Sequence, residues 1–313
     1  MRFWVGVTDN RWYRFLAERN FDEVNFWQPS ARRLFANPAV GMPFLFKLKR
    51  PYNHIAGGGF FVAHSVLPLS LAWEIFGEKN GASSVSELRE LIGPHVAGNH
   101  RDPDIGCTVL SNPFFMDEFS RMNDPPGWSS NIVRGKYYDT WEEAGAEIWS
   151  RVHTYLTPDP ASQISETESD VPNNDPVPDK FGTPVLVKPR IGQATFRVRV
   201  TDAYRRRCAM TGESTLDVLE AAHIVPYTDL SGSHEVTNGM LLRSDFHRLF
   251  DRGLVSVTPD YRVRVSPRIR EAYFNGKAYY RLDNEPLQTM PESASLRPDR
   301  DRLDWHFRNL FQG

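Results

Sequence analysis

A stretch rich in proline, serine and acidic residues, residues 158–180, most constrains how this 313-residue chain can fold. Its sequence, PDPASQISETESDVPNNDPVPDK, contains almost no large apolar side chain. Such a segment cannot bury enough apolar surface to offset the entropy lost on ordering, so it is typical of a flexible linker. We assign the acidic linker to residues 158–185, which predicts one domain over residues 1–157 and a second over residues 186–313.

The composition is that of an ordinary folded protein and argues against several other classes. Hydrophobic residues make up 40% of the chain and charged residues 24%, and the formal net charge of -2 does not mark a nucleic-acid binder. Two cysteines, Cys107 and Cys208, provide neither a disulfide framework nor a Cys-rich zinc site. No apolar run approaches the ~20 residues of a membrane span, and the N-terminus lacks the pattern of a signal peptide. We therefore expect a cytoplasmic protein without a membrane partner.

The hydrophobic pattern predicts an α+β fold. Before the linker, strands rich in Phe and Val with Gly breaks alternate with a few helices, which favours a small curved sheet or barrel with helices packed on it. The strands predicted here are Phe3–Val7, Glu23–Trp27, Phe44–Leu48 and Phe60–Ala63, and the helices are Arg11–Arg19, Leu69–Phe76 and Val85–Ile92. After the linker we predict a helix at Gln193–Arg207 and a strand at Asp217–His223. A helix at Asp245–Asp251, capped by Ser244, follows, and then a hairpin of two strands, Leu254–Thr258 and Tyr261–Ser266.

Three polar residues stand out in residues 219–253, LEAAHIVPYTDLSGSHEVTNGMLLRSDFHRLFDRG. His223 ends the predicted strand, Asn238 precedes a glycine at a predicted tight turn, and His247 lies on the short helix that follows. The strings AAHI, NGMLL and FHRLFD resemble the HNH, or ββα-metal, nucleases over about residues 190–270. The resemblance implies a ββα-metal domain and a metal-dependent DNA endonuclease.

The chemistry of phosphodiester hydrolysis explains these residue types. The reaction needs an activated water and an ion that neutralises charge in the transition state. A neutral imidazole is a suitable general base near pH 7, and we assign that role to His223. Asn238 is expected to hold the loop and to orient the His223 ring through its amide. His247 is expected to bind the metal, and Asp251, one helical turn further on the same face, is a second candidate ligand.

One position departs from the family pattern. Many HNH enzymes carry Asp or His immediately before the base, where this chain has Ala222. Alternation along the strand places Glu220 on the same side as Ala222. The missing ligand is therefore supplied by Glu220 or by Asp251, or the ion is held by fewer protein groups. A shell of His, carboxylate and water suits Mg²⁺ or Mn²⁺. Cys208 is not followed by the second cysteine of a CxxC pair, so we expect no structural zinc.

Basic residues gather at the start of the same domain. On a nuclease they are expected to contact DNA phosphates, although an arginine-rich helix is more often a solvated face. The arginines predicted to contact the DNA backbone are Arg197, Arg205, Arg206 and Arg207. His234, in the loop before Asn238, is interpreted as solvated or adjacent to a phosphate.

A second resemblance lies before the linker, in residues 23–62. The segment resembles the PUA superfamily and, within it, the YTH and EVE branches. The shared pattern is a strand ending in an aromatic residue, a short helix with Leu-Phe, a Gly before an apolar strand, and a Gly-rich step into the next strand. Those domains, and the related SRA domains, read modified bases, which implies a pocket for a flipped nucleotide. The predicted base-pocket residues are Asn25, Trp27, Gln28 and Ser30. The alternative is that Trp27 belongs to the core and that Asn25 and Gln28 are turn residues.

Together, the two resemblances imply a modification-dependent, type IV-like restriction endonuclease of a prokaryotic cytoplasm. Its partner would be double-stranded DNA carrying a modified base, with 5-substituted cytosine as the first candidate. Because each HNH centre cuts one strand, double-strand cleavage implies a homodimer or two recruited copies. Two alternatives remain open: an HNH nuclease whose reader binds RNA or unmodified DNA, and a non-catalytic DNA-binding protein with a degenerate HNH fold, which Ala222 favours.

Overall fold

The structure, a computed structural model, describes residues 1–30, 38–96, 101–125, 127–129, 131–157, 192–273 and 276–313. The predicted linker, residues 158–185, lies outside these ranges. The contacts divide the chain into two compact units. The first unit holds the described parts of Met1–His64, Glu78–Val96 and Thr108–Arg190; the second holds those of Ser65–Gly77, Ala97–Cys107 and Ile191–Gly313.

A six-stranded sheet in the order β2-β5-β4-β3-β1-β6 dominates the described chain before the linker. Strands β1 to β6 are Arg2–Thr8, Glu23–Gln28, Pro43–Leu48, Ile55–Pro68, Asp104–Phe115 and Gly135–Asp139, and helices α1 to α4 are Asn10–Ala17, Leu69–Phe76, Val85–Ile92 and Glu143–Leu156. Strand β1 runs parallel to β3 and antiparallel to β6, whereas β3 and β4 are antiparallel. The predicted elements are present here; α2 and α3 have the predicted bounds, the other predicted elements have shifted ends, and β5, β6 and α4 were not predicted.

Strand β3 shows why the sheet is buried on both faces. Phe44 and Phe46 pack into one apolar cluster with Trp12 of α1, whereas Leu45, which points to the opposite face, packs into a second cluster with Ile148 of α4. All six residues of β3 are buried. A strand covered on both faces reads as a continuous apolar run, which is what residues 43–48 show.

The glycines before the predicted strand Phe60–Ala63 lie inside a longer strand. Strand β4 begins at Ile55 and continues through Gly57. A Cβ atom added at Gly57 would stand 2.2 Å from the carbonyl oxygen of Phe114 in β5. The glycine is therefore needed for the close approach of another stretch of protein backbone.

The second unit contains the elements that build the candidate site. They are α5 at Gln193–Ala203, β7 at Leu219–His223, β8 at Gly239–Arg243, α6 at Ser244–Asp251, β9 at Val255–Val257, β10 at Val263–Val265, α7 at Arg268–Tyr273, α8 at Lys277–Tyr280 and α9 at Arg300–Asn309. Strands β9 and β10 pair antiparallel, as the predicted hairpin requires. With the six-stranded sheet before the linker, this confirms the α+β class.

Two local predictions after the linker need correction. The basic helix was predicted to reach Arg207 but α5 ends at Ala203, because Arg205 and Arg206 have φ of 52° and 58°, the left-handed region that stops a helix. Ser244 was predicted as a cap, but it is the first residue of α6; Arg243 holds the N-cap position without a side-chain cap bond. Among the described helices, none is long and apolar enough to cross a membrane.

A buried histidine gives the second unit a pH-dependent stability. The His306 ring stacks on Phe250 at 3.6 Å, its Nε2 lies 3.1 Å from the Phe250 carbonyl oxygen, and its Nδ1 lies 2.8 Å from Ser256 Oγ. Burial lowers the pKa of His306 from 6.5 to about 4. The folded state therefore favours the neutral ring. Its contribution to the free energy of unfolding is present above pH 6.5 and is lost as the pH falls towards 4.

We expect this linkage to remove about 3 kcal/mol of stability between pH 7 and pH 4, since each tenfold change in proton affinity corresponds to about 1.4 kcal/mol. Urea unfolding of the metal-free protein at both pH values measures it. In a His306→Gln variant, which cannot titrate, the pH dependence should be smaller by that amount. An equal pH dependence in parent and variant would show that His306 does not titrate on unfolding.

Candidate active site

The two strands and the helix after residue 215 bring the three motif residues together. Strand β7 pairs antiparallel with β8, with His223 opposite Gly239. His223 is thus the last residue of β7, Asn238 directly precedes β8, and His247 lies on α6. A cavity of about 310 Å³ is lined by His223, His247 and Asp251 together. The Asn238-Gly239 step is the junction of a 3₁₀ turn with β8.

Asn238 holds the loop that joins β7 to β8. Its side chain is fully buried; Oδ1 accepts a hydrogen bond from the Val225 amide at 2.9 Å. Its Nδ2 donates to the carbonyl oxygens of Val225 and Ser233, each at 2.9 Å. The amide was predicted to orient the His223 ring, but its recorded bonds go to loop backbone. These bonds fix the loop that follows His223 and close it at Val225 and Ser233.

The His223 ring is fixed by two neighbours. It stacks on Phe196 of α5, with ring centroids 3.9 Å apart and 9° between planes. Its Nε2 lies 3.1 Å from Nδ1 of His234. Burial, with the nearby His234 and His247, lowers the pKa of His223 from 6.5 to about 4. The ring is therefore neutral at pH 7, the form that a general base requires.

Glu220 contacts the predicted metal ligand from behind. Its Oε2 lies 2.6 Å from His247 Nδ1, and His247 Nε2 lies 3.4 Å from Asp251 Oδ2. An ionised carboxylate can only accept, so Nδ1–H donates to Glu220, and in the neutral ring the Nε2 lone pair is the one that faces Asp251. A carboxylate that fixes a histidine in this way is a common arrangement behind metal-binding imidazoles.

The donor atoms fit a hydrated cation better than a fully enclosed one. Burial raises the pKa of the Asp251 carboxyl, His247 opposes that rise, and the Glu220 carboxylate adds to it. Among the described residues, no group of three or more His, Cys, Asp or Glu side chains could hold a metal. His247 Nε2 and the Asp251 carboxylate thus offer two donors. A divalent ion held by two such donors would complete its shell with waters and substrate phosphate, so the pair fits a hydrated ion.

The arginines predicted to contact DNA each have an acceptor within the second unit. Arg197 pairs with Glu74 and Arg205 with Glu292, both at 2.6 Å. Arg206 donates to the Val66 carbonyl oxygen, and Arg207 donates to that of Gly212 at 3.3 Å. Because the last three lie beyond the end of α5, the four do not share one helix face.

An aromatic cavity of about 480 Å³ lies in the first unit. Three of the predicted pocket residues line it: Trp27, Gln28 and Ser30. Asn25 is not among its lining residues; it is fully buried, and its Nδ2 donates to Asn80 Oδ1 at 2.8 Å. The lining residues that the sequence did not single out are Val7, Asp9, Trp12, Phe26, Pro29, Lys49, His95, Val133 and Arg134.

Both tryptophans of this cavity are anchored by their indole N–H groups. Trp27 Nε1 donates to the Asn80 carbonyl oxygen at 3.0 Å, and Trp12 Nε1 donates to that of Asn25 at 3.1 Å. Asn25 therefore supports the walls from behind, through its own carbonyl and through Asn80. A cavity whose aromatic walls are already fixed loses little side-chain entropy when a flat ring enters.

Residues 208–258 match the model of a family described as HNH endonuclease. This confirms the predicted HNH domain and its enzyme class, a metal-dependent DNA endonuclease; HNH endonucleases generally use a divalent metal ion. No curated protein matches the chain significantly.

Two solved structures are similar in part. ASCH from Zymomonas mobilis is 12% identical, with a TM-score of 0.33, and the match covers 47% of this chain and 94% of ASCH. A structure described as the modification dependent TagI restriction endonuclease is 15% identical, with a TM-score of 0.30, and the match covers 98% of this chain and 81% of that one.

Proposed function

We propose that the protein is a modification-dependent restriction endonuclease. The aromatic cavity of the first unit receives a modified base flipped out of duplex DNA, and the HNH centre hydrolyses a phosphodiester bond. One observation carries the proposal: a chain with an HNH domain also contains a pre-formed cavity with two anchored indoles. Its volume of about 480 Å³ falls within the usual range for small-molecule sites.

The chemistry of the cavity suits a nucleobase. A base that leaves the helix loses stacking at a cost of a few kcal/mol, and stacking on Trp27 restores part of it. Gln28 offers both a donor and an acceptor for a base edge, and Ser30 offers a hydroxyl. We take 5-substituted cytosine as the modified base, because a substituent at C5 leaves the hydrogen-bonding edge unchanged and needs only space in an apolar wall.

The cutting centre assigns one task to each side chain. His223 takes a proton from the attacking water, and Asn238 holds the loop beside it. His247 and Asp251 would hold the ion, while Glu220 keeps the proton of His247 on Nδ1. A Mg²⁺ or Mn²⁺ ion held there would supply positive charge to the phosphate in the transition state.

Arg205 remains a proposed DNA contact despite its partner. Arg205 and Glu292 are 58% and 76% exposed, and an ion pair that exposed contributes little, so the arginine can exchange its carboxylate for a phosphate. Because each HNH centre cuts one strand, we further propose a homodimer for double-strand cleavage. A restriction endonuclease acts on foreign DNA that enters the cell, so we propose that the protein acts in the cytoplasm of a prokaryote.

Digestion of matched DNA duplexes tests the proposal. The substrates carry cytosine, 5-methylcytosine, 5-hydroxymethylcytosine or glucosylated 5-hydroxymethylcytosine, and each is incubated with Mg²⁺, with Mn²⁺ and with a chelator. We expect cleavage of at least one modified duplex, none of the unmodified duplex, and none with the chelator. Equal cleavage of all duplexes, or cleavage of RNA instead, would support a different reader. Binding without cleavage under every condition would identify a non-catalytic DNA-binding protein.

A further inference from the structure

His234 was interpreted from the sequence as a loop residue that is solvated or adjacent to a phosphate, and in the structure its ring contacts the proposed general base, His223. Its Nδ1 lies 3.1 Å from His223 Nε2, although eleven residues separate the two along the chain. Asn238 holds the loop directly beside it, through the bond to the Ser233 carbonyl. The contact is thus built by the same loop that completes the HNH centre.

Both histidine rings are clamped by aromatic partners. Tyr227 stacks on His234 with centroids 3.9 Å apart and 11° between planes, much as Phe196 stacks on His223. Stacking fixes the ring planes, and the contact between the two nitrogens fixes the rotation of each ring. The pair is therefore held in one geometry before any substrate binds.

The contact has a consequence for the proton on His223. Two ring nitrogens at hydrogen-bond distance must share one proton, so one of them donates and the other accepts. If His234 donated, its proton would occupy the Nε2 lone pair, and the other nitrogen of neutral His223 would carry the remaining proton. No lone pair would then be left for water. His223 can act as a base in this geometry only when its Nε2–H donates and its Nδ1 lone pair is open.

We infer that His234 is a positioning residue: its Nδ1 accepts the Nε2–H of His223 and so holds the tautomer whose Nδ1 takes a proton from the attacking water. The inference rests on the proposed nuclease function and assigns His234 no bond to substrate. In the hydrolysis the water oxygen bonds to phosphorus as the bond to the leaving sugar oxygen breaks. The water proton goes to His223 Nδ1 and later to solvent, and solvent protonates the leaving oxygen. The hydrogen bond to His234 also stabilises the positive charge on His223 in between, as an acceptor behind a catalytic imidazole does.

Two substitutions separate this role from a structural one. His234→Asn places an amide oxygen near the position of Nδ1 and keeps an acceptor, whereas His234→Phe keeps a ring to stack on Tyr227 and removes the acceptor. With a cleavable duplex, we expect His234→Phe to lower kcat by roughly 10- to 100-fold with KM unchanged. His234→Asn should recover most of that loss. His153→Phe, at an exposed position on α4, is the matched control and should cleave like the parent.

Nitrogen-15 NMR spectra of the histidine rings show which nitrogen of His223 is protonated, and this measurement does not require turnover. The free parent protein should show His223 protonated on Nε2, and His234→Phe should show a mixture of both tautomers. A His234→Phe variant with the parental kcat, or His223 protonated on Nδ1, would overturn the inference. A parent that cleaves no substrate would overturn the proposed function instead, so the two failures are distinguishable.

Discussion

A His223→Ala variant is expected to cleave modified DNA about 10²- to 10⁴-fold more slowly than the parent, the range that a positioned general base contributes. His247 does not replace its lone pair, because His247 Nδ1 is bound to Glu220 and its Nε2 faces Asp251. Affinity for the modified duplex should stay within a few-fold, since the aromatic cavity is untouched. Single-turnover cleavage and equilibrium binding on the same duplex measure the two effects.

The matched control for this change is His153→Ala, a histidine on the surface of α4. Because removal of the ring also uncovers Phe196, a second variant, His223→Gln, keeps bulk against that face. Thermal unfolding of both variants shows whether the domain is intact. Cleavage by a folded His223→Gln protein at the parental rate would rule out His223 as the base.

A Trp27→Ala variant is expected to lose discrimination between modified and plain DNA while its cutting centre stays intact. Stacking of a base on an aromatic side chain contributes ~1–3 kcal/mol, so affinity for the modified duplex should fall about 5- to 150-fold. Affinity for plain DNA, which does not use the cavity, should hardly change. Competition binding with the two duplexes measures the ratio directly.

Trp141→Ala is the control for Trp27, because that tryptophan is 89% exposed. Trp27→Phe keeps an aromatic face but lacks the N–H that bonds Asn80, so it should show an intermediate ratio. Unchanged discrimination in a folded Trp27→Ala protein would mean that the modified base is read elsewhere.

The cutting centre was predictable from sequence because its parts are close along the chain. Asn238 bonds Val225 and Ser233, which are thirteen and five residues away. Alternation along β7 predicted that Glu220 lies on the same side of the strand as Ala222. In the structure the Glu220 carboxylate contacts His247 Nδ1. His234 could not be ranked, because only the fold of the loop shows that it points at His223.

The aromatic cavity was predicted less completely because its walls come from distant segments. Lys49, His95 and Arg134 reach it from three separate parts of the chain, and no local pattern connects them. The alternation of side chains along β2 predicted that Asn25 would share a face with Trp27 and line the pocket. In the structure Asn25 is buried, and its side-chain amide donates a hydrogen bond to Asn80. Only the end of β2, from Phe26 onward, reaches the cavity.

The three hydrogen bonds of Asn238 make the outer part of the β7–β8 loop replaceable. They close the loop at Val225 and Ser233, so residues between these points start and finish at fixed positions. Leu230 at the outermost part is fully exposed. The entropy cost of a loop grows only slowly with its length. This segment can therefore be lengthened, or its residues other than Tyr227 exchanged, while β7 and β8 keep their register. The loop thus provides an attachment point for new side chains directly beside the candidate site.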